Sequence, residues 1–288
     1  MPLQFDRKYS LEITSGSETK IITDLRVNFN IEKSLHSYPN LAEISIYNPN
    51  DETVSMLRDR FSKIVFNAGY KGNLRLIFKG DVRNVFDPKQ GVDRIATIFA
   101  GDGERDWQNS TFNKTLSANI AIKQVITEIA TTFKETILGV LGGVDNEPDK
   151  LEGQTLSGSS KDILNMLGED YGFQWSIQDG ILTTVPDDDI LKDKEVVLIN
   201  PNTGMIGSPT ITELGVNVVT LLNPDLLPNR GFKVESAGAE IGIANLQFRE
   251  IKRTKAEGVY KAYRVVFNGD THGPNWFSTV EGRVINVG

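Results

Sequence analysis

The chain contains no cysteine, two histidines and three tryptophans among its 288 residues. Without cysteine there are no disulfides, thiolate metal sites or iron–sulfur clusters, and no cysteine nucleophile. His36 and His272 are too few for a three-histidine zinc site, and only one of them could serve a given Ser-His-Asp arrangement. Long apolar runs are missing too. No stretch approaches the roughly 18 residues of a spanning helix, and residues 1–6 carry neither a basic n-region nor an apolar h-region. Membrane insertion is therefore not expected, and a cytosol-like compartment is the expected place of synthesis and assembly. Positive charge is in deficit, with 31 Lys and Arg against 38 Asp and Glu for a net charge of -7, which opposes tight binding to DNA or RNA.

What is present is an ordinary globular composition, 39% hydrophobic and 24% charged, in a chain long enough for two or three cores. The first hundred residues are written in period two. Leu25, Val27, Phe29 and Ile31 alternate with Asp24, Arg26, Asn28 and Asn30, and Ala42, Ile44 and Ile46 alternate with Glu43 and Ser45, the pattern of strands with one buried face. Further short strands are expected at 9–14, 64–68, 74–79, 82–86 and 94–100, separated by turn chemistry that includes Lys79-Gly80-Asp81. Asn50 is placed to cap a short helix reaching about Asp59.

Past Gly101-Asp102-Gly103 the period changes. Ala118, Ile122, Val125, Ile126, Ile129 and Phe133 form one helical stripe, predicting a helix over 117–133 capped by Ser117. A second helix is expected from Ser159, with Asp162 three residues on, to a stop at Gly172. The polar stretch 142–158 reads as a loop, and Asp179-Gly180 as the tight turn of a hairpin over 173–185. From Lys194 strand grammar returns, with candidates at 196–199, 216–222, 231–236, 244–253, 260–267 and 276–285. The fold class expected is mainly β with a small α/β insert. Three domains follow: a β domain over 1–105, an α/β domain with two helices and a hairpin over 106–193, and a β domain over 194–288. The two β regions have compatible lengths and strand counts, but no residue-level repeat is evident between them.

Each candidate for chemistry has a plainer structural reading. Asp187-Asp188-Asp189 lacks the spaced ligands, turn glycine and terminal glutamate of a calcium loop and reads as a solvated turn. Glu169 and Asp170 are neighbours on a helix and point different ways. His272 lies beside Asp270 in a glycine-rich loop with no nucleophile elbow, and His36 sits in a plain loop. The glycines of 101–105 and 139–143 match neither a phosphate loop nor a dinucleotide fingerprint. Trp107, Trp175 and Trp276 are too dispersed for a stacking platform and read as core or domain-seam residues. No catalytic, cofactor-binding or metal-ligating residue is assigned, no cofactor is expected, and the chain does not read as an enzyme.

Several segments carry a family resemblance. Pro39 to Asn50 followed by a short helix, then 65–70 and 77–82, resemble the opening domain of baseplate hub proteins of contractile-tailed bacteriophages. More specific are 202–209 with 212–216, then 221–226, then Tyr263 to Thr271 with Trp276. The resemblance implies two tube-like antiparallel β-barrel domains flanking the helical α/β domain. It also implies a homotrimer in which two such domains per subunit make a ring of six, adapting a sixfold tail tube to a threefold central spike. The implied partners are further copies of the chain, tail-tube or tube-initiator proteins, the spike protein and the tape measure protein. DNA would pass through the channel without specific binding, and the protein would reside in the virion baseplate. Net negative charge suits such a conduit, since it repels DNA and lets it slide. Closing a ring would also cover strand edges that otherwise invite uncontrolled pairing. Two alternatives stay open: a tail-associated cell-wall hydrolase, which needs only two carboxylates, and a glycan- or receptor-binding β protein, which calls for clustered aromatics.

Overall fold

The change of period along the sequence marks a change of layer in the structure. The computed structural model describes residues 6–144, 150–151, 153–187, 189–191, 195–236, 238, 240–241 and 256–285. The first alternating region forms β1 (Arg7–Ser15), β2 (Glu18–Ile22), β3 (Val27–Ser34), β4 (Leu41–Tyr47), β5 (Lys63–Tyr70), β6 (Asn73–Phe86) and β7 (Asp93–Gly101), with helix α1 (Asp51–Arg58) between β4 and β5. Val27, Phe29 and Ile31 on β3 and Ile44 and Ile46 on β4 are fully buried, as alternation requires. The Asn50 side chain accepts the Thr53 N–H at 2.9 Å and caps α1, as its sequence position indicates.

The insert supplies α2 (Glu104–Asn109), β8 (Thr111–Leu116), α3 (Ile122–Ala130), β9 (Ile137–Leu141), β10 (Gln154–Ser159), α4 (Ser160–Tyr171), β11 (Phe173–Gln178) and β12 (Ile181–Pro186). The last region adds β13 (Val197–Ile199), β14 (Met205–Ile211), β15 (Gly215–Leu221), β16 (Gly231–Val234), β17 (Gly258–Asp270) and β18 (Trp276–Val284). The expected strand at 244–253 lies outside the described residues.

Strands of both β regions belong to one sheet. Its order is β2-β1-β5-β6-β7-β4-β3-β17-β18-β15-β14 and then Glu240–Ile241, with β16 also on β17 and β13 on β16. One hydrophobic cluster runs beneath it, from Tyr9 and Phe66 to Phe232 and Val280. A second cluster, including Phe112, Val125, Leu164, Trp175 and Leu182, belongs to the insert. The β regions expected as separate barrels are thus joined edge to edge through β3 and β17.

The sheet order contains a repeat that residue identities hide. β5-β6-β7-β4-β3 and β16-β17-β18-β15-β14 have the same order in space, the same order along the chain and antiparallel pairing throughout. The correspondence reaches single residues. Val82 donates its N–H to Ser62 O at 2.9 Å, and Ala262 donates to Arg230 O at 2.8 Å, in each case just before β5 or β16 begins. One residue later both long strands shift register against their hairpin partner, between Val82 and Asn84 and between Ala262 and Arg264. These are matching β-bulges centred on Arg83 and Tyr263. Asn48-Pro49 follows β4 as Asn223-Pro224 follows β15.

Other expectations are corrected by tertiary contacts. Lys79-Gly80-Asp81 is not a turn. β6 runs through it, pairing with β5 up to Asp81 and with β7 from Asp81 on. Gly80 permits the crossing, because a Cβ there would lie 2.5 Å from Gly101 O. The helix expected at 117–133 is confined to Ile122–Ala130 with Ala121 as its N-cap. Asn119 takes a left-handed conformation (φ 64°), and Ile120–Ala121 pair with Lys150–Leu151, so Ser117 is no cap. The apolar stripe nonetheless faces the core: Ile122, Val125, Ile126, Ile129 and Phe133 are buried. α4 begins and ends as expected, with Gly172 left-handed at its C-cap, but Ser159 makes no side-chain cap bond. Part of the expected loop 142–158 is strand, since β10 pairs along its length with β8. β2, β9 and β14 are further strands that the sequence did not single out.

Candidate functional site

The surfaces that bear on function are two internal joints and a pair of open strand edges. At the first joint β3 pairs with β17 from Asn28 opposite Asp270 to Ser34 opposite Arg264. Beneath the ladder, Phe29 faces Gly269, and a Cβ on that glycine would come within 2.3 Å of the Phe29 ring. The ring packs edge-on against Trp276 at 5.4 Å and Phe66 at 4.9 Å, linking the cores of the two β regions. Above the ladder, Arg264 donates Nε to Glu32 Oε1 at 2.6 Å and Nη1 to Glu281 Oε1 at 2.7 Å. The guanidinium holds the Glu32 carboxyl below its ordinary range. At the far end Arg26 grips Asp270 with two bonds, of 3.2 and 2.7 Å, and lowers its acidity range likewise.

The second joint, between the first β region and the insert, consists of buried polar groups. Lys33 ends the inward row Val27, Phe29, Ile31 of β3 and is fully buried. Its Nζ lies 2.6 Å from Asp179 Oδ2 in the turn between β11 and β12. Asp179 and Gly180 both have positive φ (56° and 79°), so their N–H groups can point together at one acceptor, the fully buried Asp102. Gly180 N donates to Asp102 Oδ1 at 2.8 Å, and Asp179 N to Asp102 Oδ2. Asn40 Nδ2 donates to Asp102 Oδ2 at 3.2 Å and to Ile177 O at 3.0 Å, while its Oδ1 accepts Ser34 N at 2.9 Å. Gln178 Nε2 donates to Ser34 O at 2.8 Å. Burial, reinforced by the neighbouring Asp179 carboxylate, pushes the Asp102 acid up to about 7, against the opposing pull of Lys33 and the two backbone N–H groups. Trp107 closes the same joint, donating its indole N–H to Ser37 O and lying beneath Lys161 Nζ at 3.5 Å.

The remaining sequence candidates fall into place around these joints. Asp270 is spent on Arg26 and on the His272 backbone N–H at 2.9 Å, and it does not orient the imidazole, whose Nδ1 lies 2.9 Å from Thr271 Oγ1. His36 packs edge-on against Tyr263 at 5.2 Å. Both line a cleft of about 380 Å³ with Trp175, Glu169 and Asp187. Glu169 and Asp170 are exposed at the end of α4; Asp188 lies outside the described residues. Among the described residues no three His, Asp or Glu side chains converge as metal ligands, and no helix is long and apolar enough to cross a membrane. Trp175 donates to Asn165 Oδ1 at 2.8 Å inside the insert, and Trp276 is buried in the main core. Gly139 lies in β9, where a Cβ would meet Ile181 Cγ2 at 2.5 Å.

The polar joint was missed in the sequence, although a trace of it was there. Lys33 occupies an inward position of an alternating strand, and Asp102 and Asp179 each precede a glycine. None of this says which residues meet.

Open edges complete the site. Beyond Val82, β6 pairs, among the described residues, with β7 alone, and the hairpin continues through Lys89–Gln90, which pair with Arg94 and Asp93. On its outer side β14 pairs, among the described residues, only at Thr210 and Ile211, with Glu240–Ile241. Exposed apolar side chains flank both edges, among them Phe86 and Val92 on the hairpin and Ile206 and Leu214 about β14.

This architecture is shared with known tail proteins. At 9% identity the chain matches a tail protein from Neisseria meningitidis MC58 with a TM-score of 0.64, covering 96% of each chain. A 43 kDa tail protein of prophage MuSo2 from Shewanella oneidensis gives 0.62, also at 9% identity and 96% of each chain. The E. coli c3393 protein is described as a type VI secretion component structurally similar to the phage T4 tail proteins gp27 and gp5. It gives 0.60 at 11% identity, over 95% of this chain and 76% of that one. No curated protein sequence matches the chain. The family model for baseplate hub gp41 matches residues 8–238. With four fifths of its length matched by that model, the chain belongs to the baseplate hub gp41 family of phage tail proteins.

Proposed function

We propose that the protein is a non-enzymatic hub subunit of a phage baseplate whose three copies close into a ring. Each five-strand unit would form one tube-like wall segment, so three chains present six similar segments to the tail tube and a threefold face to the central spike. The observation that carries this reading is the repeat of strand order β5-β6-β7-β4-β3 in β16-β17-β18-β15-β14, with the two units already side by side in one sheet. A chain holding two equivalent units is what a threefold object needs to meet a sixfold one. Tube, spike and tape measure proteins are the expected neighbours in the virion after assembly in the host cytoplasm. The net charge of -7 supports a lumen that passes DNA without retaining it. The insert, joined through Asp102 and Lys33, would sit outside the ring wall as a rigid appendage.

Native mass spectrometry and negative-stain imaging of the full chain test this reading. The expected result is a species of three times the subunit mass, seen end-on as a ring with a central hole. A chain that stays monomeric at high micromolar concentration and shows no affinity for a spike protein would refute it.

A further inference from the structure

The polar joint holds a reactive pair for which ring formation has no use. Lys33 is fully buried, and its Nζ has one hydrogen-bond partner among the described residues, Asp179 Oδ2 at 2.6 Å. The other carboxyl oxygen, Asp179 Oδ1, is buried and has no hydrogen-bond partner among the described residues. A purely structural ion pair gains by meeting both carboxylate oxygens, since an acceptor left bare in a dry interior costs its full desolvation. Buried polar atoms that stay unpaired therefore call for another explanation, of which chemistry is one.

Both ends of the pair are fixed by their backbones. β3 lies between β4 and β17, with Lys33 directly opposite Val265. Asp179 sits in its left-handed turn with its N–H on the fully buried Asp102. A carboxyl oxygen at 2.6 Å leaves its carbon little more than one bond length further from Nζ, close to the approach that reacting atoms need. A desolvated lysine amine held in this way is a nucleophile. We propose that Lys33 and Asp179 join in the folded chain through an isopeptide bond between Nζ and Cγ, with Asp102 as the proton carrier.

The step balances without a co-reactant. One proton passes from the Lys33 ammonium to the Asp179 carboxylate across their hydrogen bond, leaving a neutral amine against a neutral acid, which a site nearly closed to water favours over two charges. The Nζ lone pair adds to Cγ as Asp102 lends its proton to Oδ1, and Asp102 recovers a proton from Nζ. A carbon–oxygen bond then breaks and water leaves, its two hydrogens both drawn from the original ammonium. One C–N bond has formed, one C–O bond has broken, nothing is oxidised or reduced, and Asp102 ends as it began. Burial, which pushes the Asp102 acid up to about 7, keeps that proton available below neutrality. The bond would link positions 146 apart in the chain and tie the insert to β3, so that a pull on the insert is borne covalently. It requires neither ring nor spike, and its failure would leave the hub assignment untouched.

Mass spectrometry of the folded full chain tests the bond. The intact chain should weigh one water less than its sequence requires, and trypsin should fail to cut after Lys33, releasing that segment joined to the peptide that carries Asp179. An Asp-Gly pair can also lose water by closing on its own backbone, and the chain has two, Asp102-Gly103 and Asp179-Gly180. Mild base hydrolyses such an imide back to full mass and leaves an isopeptide intact. Lys33→Arg keeps the positive charge without the nucleophile and should show full mass. Asp102→Asn keeps an acceptor for the turn N–H groups and should stay folded by circular dichroism, while the joined fraction falls at least about tenfold for want of the proton carrier. Full mass in the wild type, or a deficit that mild base restores with no branched peptide, overturns the proposal. A branched peptide at undiminished yield in Asp102→Asn overturns the part given to Asp102.

Discussion

The two joints inside this chain hold by opposite means. Between the β regions the joint is a backbone ladder, seven residue pairs from Asn28–Asp270 to Ser34–Arg264, over an apolar contact of Phe29 with Gly269 and Trp276. Between the first β region and the insert it is a buried polar knot, in which Lys33 pairs with Asp179 while Asn40 and the Asp179 and Gly180 N–H groups hold Asp102. A ladder draws on main-chain groups every residue possesses, so it tolerates changes above it. A buried charge cluster depends on every member, because a lone charge left in a low-dielectric interior is costly. β3 belongs to both joints: Glu32 reaches Arg264 on one side, and Lys33 reaches Asp179 on the other.

The largest test removes Lys33. Lys33→Met strands Asp179 and Asp102 without their cation and should cost about 3–5 kcal/mol in urea unfolding. Adding Asp179→Asn should recover a substantial part. A loss below about 1 kcal/mol would mean that the polar joint is no more demanding than the ladder, and the contrast drawn above would fail.

Next in size is a pH effect confined to the polar joint. The Asp102 acid is raised in the fold above its unfolded value, so the stability it contributes is complete below pH of about 4 and is lost as pH rises through about 7. The expected size is a few kcal/mol. Glu32 and Asp270, lowered by Arg264 and Arg26, act with the opposite sign, adding stability above their unfolded range that disappears in acid. Subtracting the pH–stability curve of Asp102→Asn from that of the wild type isolates the window between about 4 and 7. A flat difference there would remove Asp102 as its source.

Smaller effects sharpen the comparison. Trp107→Phe keeps the ring but loses the bond to Ser37 O, with an expected cost of about 1 kcal/mol. Hydrogen exchange should then rise in the insert hairpin around Asp179 more than in β17. Smallest is Arg264→Gln, which removes half-exposed ion pairs above an intact ladder and should cost about 0.2–1 kcal/mol, shrinking as salt is added. An Arg264 effect larger than that of Lys33 would invert the ranking of the joints.

Local pattern carried much of the fold. The alternation through Phe29 and Ile44, the Asn50 cap, the Asp179-Gly180 turn and the buried stripe of α3 were all readable, because each depends on residues within a few positions of one another. The errors share a cause. Gly80-Asp81 has turn chemistry but passes through a strand, because β5 and β7 take hold of it in succession. Ser117 has cap chemistry, yet Asn119 and the pairing of Ile120 delay the helix. Nothing in the local pattern marks Lys33, because its counter-charge, Asp179, is 146 positions away in the chain.

Composition and period, then, determined by themselves that this would be a mainly β protein with helices in its middle and no cysteine chemistry, since apolar spacing dictates which faces can be buried. Only the tertiary structure decided that the two β regions repeat one five-strand order and fuse through β3 and β17, and that three distant charges close the joint to the insert. Strand pairing is made by main-chain groups that every residue shares, so its partners and register leave little mark on the sequence.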